Sequence, residues 1–266
     1  MLSVNLESFQ KPAVEQSDSL PISVVLTGTR SAFIGSKLIS RPFRTAVPTI
    51  FIGLDADVSL RISEKEKYCV FRQPLLVVKP GMSCELEVEG GVAVLFCDAL
   101  KDDLTKIDFK NMRHNMLGLR ELLKKGPKKQ SPENFIEIVF GKIGIENTKK
   151  ARPEIVRVVS ALGREPEKFE NVEIAASYTG MSSMRFQHIF TETLGMPFRR
   201  YRQWRRMGAI VRSLAIGKNL TEAAYDCGFS SSAHLSTAFK EMFGLRPSEV
   251  FSNKVDYFLS DLYEKN

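Results

Sequence analysis

The chain has 266 residues, 43% of them apolar, and carries a formal net charge of +7. That is enough apolar material for one large packed domain or two ordinary ones, which excludes an intrinsically disordered chain. A positive balance is compatible with a polyanionic partner, but its total names none; how the charge is distributed matters more.

The stretch from Met1 to Pro21 has no basic segment followed by an apolar one and does not read as a signal peptide. The longest apolar run, Val92 to Cys97, suits a strand and falls far short of the roughly 20 residues that cross a bilayer. A soluble, cytoplasmic protein with no membrane partner is expected. The four cysteines, Cys69, Cys84, Cys97 and Cys227, form no CxxC pair, and the three histidines are scattered. No metal site and no cofactor are therefore expected, and the thiols read as reduced and buried.

From Ile22 to Cys97 the pattern is that of short strands. Ile22–Leu26, Val47–Ile52 and Leu75–Val78 are apolar runs rich in branched residues, punctuated by Pro, Gly and Ser. Cys84 to Glu89 alternates strictly, and Gly90-Gly91 reads as a hairpin turn into Val92–Phe96. Many short strands at this spacing imply a sandwich or barrel. After Asp98 the period changes. Met112, Met116, Leu119, Leu122 and Leu123 predict a helix ending near Lys125. Gly126 to Pro132 breaks it, and Pro132, capped by Ser131, opens a second helix to about Phe140. Asn147 to Pro153 is polar and basic, as a linker is, and everything beyond it is helical in period.

The strongest signal is an internal repeat. Asn171 can cap a short helix, Val172–Tyr178; Thr179-Gly180-Met181 makes a tight turn; Ser182 caps a second helix that stops at Gly195. Further on, Thr221–Asp226, the turn Cys227-Gly228-Phe229, and a helix capped by Ser230 or Ser231 and ended by Gly244 repeat the plan. Phe186, Phe190, Glu192 and Gly195 fall in register with Leu235, Phe239, Glu241 and Gly244. Helix, glycine-containing turn, helix is the helix-turn-helix shape, and two in register are far more specific than one. Between them Phe198 to Ile216 carries Arg199, Arg200, Arg202, Arg205, Arg206 and Arg212. As a helix it would span about 28 Å, close to the ~34 Å turn of B-DNA.

Residues Pro153 to Phe251 thereby resemble the DNA-binding domain of the AraC/XylS family of regulators. The match is carried by Gly228-Phe-Ser230 through Ala238-Phe-Lys240, by Phe243-Gly-Leu-Arg-Pro-Ser248, and by Leu194-Gly-Met-Pro-Phe-Arg-Arg-Tyr201. Leu75 to Gly81 loosely resembles that family's cupin-like sensor domains. The resemblance implies an α+β chain: a β-rich sensor domain over 1–106, a helical dimerisation or relay segment with linker over 107–150, and over 151–266 an all-α domain with two helix-turn-helix units. It implies double-stranded DNA as partner, a small-molecule effector at the N-terminal domain, RNA polymerase if the protein activates, and a homodimer as a further option.

In the first recognition helix Phe186, Ile189 and Phe190 share the core face. Ser182, Met184, Arg185, Gln187 and His188 are left for DNA, Met184, Gln187 and His188 by family position; Gln pairs with adenine and Arg with guanine. In the second, Ser231, Ser232, His234, Thr237 and Lys240 face out. The family usually has Arg where Thr237 stands, so sharp base reading there falls to His234. Arg199, Arg200 and Arg205 are expected at phosphates, about half of the arginine run in all. Trp204 reads as a core anchor of the spacer helix. No catalytic residue is expected: Leu20 to Leu100 has no histidine for a metal-using enzyme, and no reactive cysteine has ligand spacing. The alternative reading is an enzyme or repair protein with this DNA-binding domain appended.

Overall fold

A computed structural model describes residues 20–64, 67–148, 150–251 and 254–260. The segment read above as lacking a signal peptide lies mostly outside these residues.

Strands β1 (Ile22–Leu26), β2 (Ser31–Ile39), β3 (Phe43–Arg44), β4 (Thr49–Gly53), β5 (Val58–Glu64), β6 (Lys67–Gln73), β7 (Leu75–Val78) and β8 (Ser83–Phe96) form the first half. β8 is their spine. β2 and β3 run antiparallel along one side of it, and β5 and then β4 along the other. The two-strand hairpin expected at Gly90-Gly91 is absent: β8 continues through both glycines. Lys37 of β2 faces two residues of β8, Glu89 and Gly90, since Ser36 pairs with Gly91 and Leu38 with Val88. Gly90, at φ +80°, supplies the left-handed residue of this bulge. A side chain there would strike Asp55 at 2.8 Å, whose carboxylate accepts from the Gly91 N–H at 2.6 Å.

The sheet is covered on both faces, which is why β4 and the end of β8 read as continuous apolar runs. Ile50, Ile52, Ala93 and Leu95 meet helices α1 (Phe109–Lys125) and α2 (Pro132–Ile143) in one core. Phe51, Val92 and Val94 enter a second. Ser131 caps α2 as expected, accepting from the Asn134 N–H at 3.2 Å. The expected relay segment is thus packed into the β-rich half itself.

β9 (Asp102–Asp103) pairs with β10 (Glu146–Asn147), so the expected linker begins as a strand. Arg30, 4% exposed, fastens this junction. Its Nε donates to both oxygens of fully buried Asp102 at 3.1 Å, its Nη1 to Glu137 at 2.9 Å, and its Nη2 to Asn147 at 2.9 Å. The guanidinium lies 4.2 Å from the centroid of the Phe140 ring.

The second half comprises α3 (Pro153–Arg164), α4 (Val172–Thr179), α5 (Ser183–Leu194), α6 (Phe198–Ala215), α7 (Leu220–Asp226), α8 (Ser232–Phe243) and α9 (Pro247–Phe251). Contrary to the expectation of helix throughout, it ends in a strand, β11 (Val255–Leu259). β11 pairs in parallel with β1, Val255 with Ile22 through Leu259 with Leu26, and Phe258 packs on the core under α1 and α2. Val47, Ala99 and Leu100 in turn join the core of α3 to α6. Trp204 sits in this seam, its ring 4.8 Å from Phe96 and 6.0 Å from Phe243. It anchors the spacer helix, as expected, and does so against the β-rich half.

Candidate nucleic-acid interface

Each recognition helix starts where a serine can satisfy its first free N–H groups. Ser182 accepts from the Arg185 N–H at 3.4 Å, and Ser231 from the His234 N–H at 3.1 Å. Phe186, Ile189, Phe190 and Leu194 turn α5 inward; Leu235, Ala238, Phe239 and Met242 do so for α8. The opposite faces are left in solvent: Met184, 83% exposed, with Ser182, Arg185, Gln187 and His188 on one helix, and His234, Thr237 and Lys240 on the other. Ser231 and Ser232 are half-buried. Neither helix has an acidic residue in its first turn, whereas α4 and α7 carry Glu173 and Glu222 there. The N-termini of α5 and α8 therefore keep the positive end of the helix dipole open toward an anion. Thr237 donates its hydroxyl proton to the Ala233 carbonyl at 3.1 Å and so offers a partner a methyl group and an acceptor oxygen, but no donor.

α6 separates the two units and, with 18 residues, is about 27 Å long. The arginine run along it divides by helical face. Arg199 is exposed and fits the expected phosphate contact. Arg200 and Arg205 do not. Arg200 donates to the carbonyls of Arg44 and Thr45, and Arg205 to the Gly28 carbonyl at 3.1 Å, so both bind the β-rich half. The reason is register: these positions share the side of α6 that carries Trp204 onto Phe96. Arg202 donates to the Glu170 carbonyl and Arg206 to the Cys227 carbonyl at 2.6 Å, inside the helical half. Burial is the main cause that lowers the pKa of Arg200, Arg202 and Arg206 from the usual arginine value.

The second unit is clamped from the other end too. The Arg41 N–H donates to the carbonyl of Gly244, the residue that stops α8, at 3.0 Å. The Arg41 guanidinium lies 3.1 Å from Glu249 of α9. Burial alone would raise the Glu249 carboxyl, but the Arg246 N–H and the Arg41 guanidinium outweigh it and hold its pKa below the usual carboxylate range.

A cavity of 260 Å³ lies in the seam. Val24, Leu26 and Phe33 of the sheet wall one side, and Met207, Val211, Met242 and Phe251 of the helices the other; Arg30, Arg164, Arg205 and Arg212 reach its lining. Nothing in the local sequence pattern marks it, because its walls come from segments far apart in the chain. Among the described residues no group of three or more metal-ligating side chains lies together, and no helix is long and apolar enough to cross a membrane.

Residues 175–253, from inside α4 to just past α9, match a family model described as a helix-turn-helix domain. No curated protein sequence matches. Among solved structures the chain resembles an apo form of ToxT from Vibrio cholerae, at 16% identity and TM-score 0.57, over 85% of this chain and 97% of that one. It also resembles ToxT from the same organism with an unsaturated fatty acid bound, at 16% identity and TM-score 0.52, over 90% and 97%. An AraC-type DNA-binding domain protein from Chromobacterium violaceum aligns at 24% identity and TM-score 0.35, over 38% and 90%. Two helix-turn-helix units in register, a family match spanning both and a two-domain fold shared with ToxT together support a DNA-binding transcription regulator, with an AraC-type helix-turn-helix domain over residues 175–253.

Proposed function

We propose that the protein is a one-component regulator whose reading of DNA, in the cytoplasm, is set by a small apolar acid held between its halves. Residues 1–106, with the 107–150 segment packed on them, hold the signal, and residues 151–266 read DNA. Met184, Arg185, Gln187 and His188 of α5 and His234, Thr237 and Lys240 of α8 enter successive major grooves. Exposed Arg185, Arg199 and Lys240 meet phosphates. The observation that carries the effector reading is that the cavity is walled by both halves. A ligand inside it touches β1, β2, α6, α8 and α9 at once, and so has different contacts in clamped and unclamped arrangements. Its walls are mostly hydrocarbon, with arginines among them, which suits an amphipathic carboxylate. The fatty acid bound to ToxT is of that class.

The test uses a long-chain unsaturated fatty acid and the full chain. At a hundredfold excess over Kd, binding stabilises the fold by about 2.7 kcal/mol, seen as a raised Tm. Ala209→Phe, which fills the cavity, abolishes that rise. Fatty acid also changes the Kd for DNA, and DNA changes the Kd for fatty acid by the same factor. A wild-type protein whose Tm and DNA affinity both ignore the fatty acid contradicts the effector reading and leaves the DNA reading intact.

A further inference from the structure

The second recognition helix looks poor in readers, with Ser232, Ala233 and Thr237 on its outer face. Its one aromatic reader, His234, is fixed on two sides. The Ser230 hydroxyl lies 3.1 Å from Nδ1, and the imidazole meets the Phe229 ring in a T-shaped contact, with centroids 5.3 Å apart and planes at 74°. Phe229 is itself held. It is 2% exposed, and the Arg206 guanidinium lies over its ring, 4.0 Å from the centroid. The same guanidinium takes the Cys227 carbonyl at 2.6 Å. Gly228, at φ +71°, lets it come so close: a side chain there would meet Arg206 Nη2 at 3.1 Å. A chain of contacts therefore runs from α6 through the turn to the outer face of α8. Arg185 holds the equivalent position in the first unit.

We infer that Arg206 and Phe229 are positioning residues, and Ser230 a specificity-determining one, which together present His234 to a purine as a hydrogen-bond donor through Nε2. This rests on the regulator reading above. The chemistry follows from the ring. The proposed tautomer has the Ser230 hydroxyl donating to Nδ1, which puts the imidazole proton on Nε2, the ring nitrogen turned to the partner. A donor at the N-terminal end of a groove-bound helix seeks acceptors, and in the major groove guanine offers two, N7 and O6. Because these contacts restrain the ring before DNA arrives, less rotamer freedom is lost on binding, which favours discrimination by a single histidine.

The test selects duplexes from a randomised library with the full-length wild type and with His234→Ala, Ser230→Ala, Phe229→Leu, Arg206→Lys and Gln187→Ala. The expected result is one guanine position whose preference of about tenfold disappears in His234→Ala, weakens in Ser230→Ala and Arg206→Lys, and survives in Gln187→Ala. Replacing that guanine by 7-deazaguanine costs wild type about as much as His234→Ala does and costs His234→Ala nothing. Binding to scrambled DNA stays within twofold for all variants, which separates positioning from damage to the fold. In the 15N spectrum, wild-type His234 shows its proton on Nε2, and Ser230→Ala shows a mixture of tautomers. Two results overturn the inference: no position responding to His234, or Arg206→Lys lowering every position and scrambled DNA alike, the mark of a purely structural brace. A wild type that selects no motif at all overturns the regulator reading instead.

Discussion

Replacing Arg30 by Met should be the most damaging single change at the junction where the β-rich half hands over to the helical one. Arg30 has two acidic partners, and their burial decides which matters. The Glu137 side chain is 64% exposed, so its pairing contributes at most about 1 kcal/mol. Asp102 is 0% exposed and bonds to Arg30 at 2.6 Å. Without the guanidinium it would keep, among the described residues, the Asp98 N–H at 2.7 Å. Stranding a buried charge in this way costs about 3–5 kcal/mol, a large part of a typical 5–15 kcal/mol stability. At about 2–4 °C per kcal/mol for a chain of this size, Tm should fall by roughly 6–20 °C in a circular-dichroism melt. Arg30→Met combined with Asp102→Leu should recover most of that loss, because the stranded charge goes with its partner. The reasoning is refuted if Arg30→Met costs less than about 1 kcal/mol, or if the double variant is no better than the single one.

Three further outcomes follow. Replacing Arg185, Arg199 or Lys240 by Ala should each lower the slope of log K against log salt by about one unit, measured by fluorescence anisotropy, whereas Arg200→Ala and Arg205→Ala should leave it unchanged. Gln187→Ala should cost about 1–3 kcal/mol on the selected site and nothing on scrambled duplex. Hydrogen bonds from Lys124, at 2.6 Å, and from the Gly91 N–H hold the Asp55 pKa below its usual value. A depressed carboxylate contributes stability above its unfolded pKa of about 3.9 and loses it as pH falls through the folded value. Asp55→Asn should therefore lower Tm at pH 7 and make the acid limb below pH 4 shallower; parallel acid limbs in wild type and variant would exclude this role.

The helical half was legible in the sequence because its signals are local. Ser131, Asn171 and Ser182 cap the helices they were expected to cap, Ser231 rather than Ser230 caps α8, and Gly195 and Gly244 stop theirs. The apolar stripes of α5 and α8 follow the helical period, so their outer faces could be named by subtraction. What was not legible depends on contacts across the chain. Gly90-Gly91 is a sound hairpin signal, and only β2 lying beside β8 makes it a bulge. β11 has no turn signal of its own and exists by pairing with β1, more than two hundred residues away. Arg200 and Arg205 look like any phosphate-facing arginines until Arg44, Thr45 and Gly28 are placed against α6. The Arg206–Phe229–His234 chain of contacts escaped for the same reason, since its first member lies on a different helix from its last.

The central claim is that α5 and α8 sit in successive major grooves on one face of the duplex. Hydroxyl-radical footprinting of the full chain on its selected site tests this at single-nucleotide resolution. The account predicts two protected patches, about 10–10.5 base pairs apart and on the same face, with Gln187→Ala and His234→Ala each weakening contacts in a different patch. A single protected patch, or two on opposite faces, would contradict it.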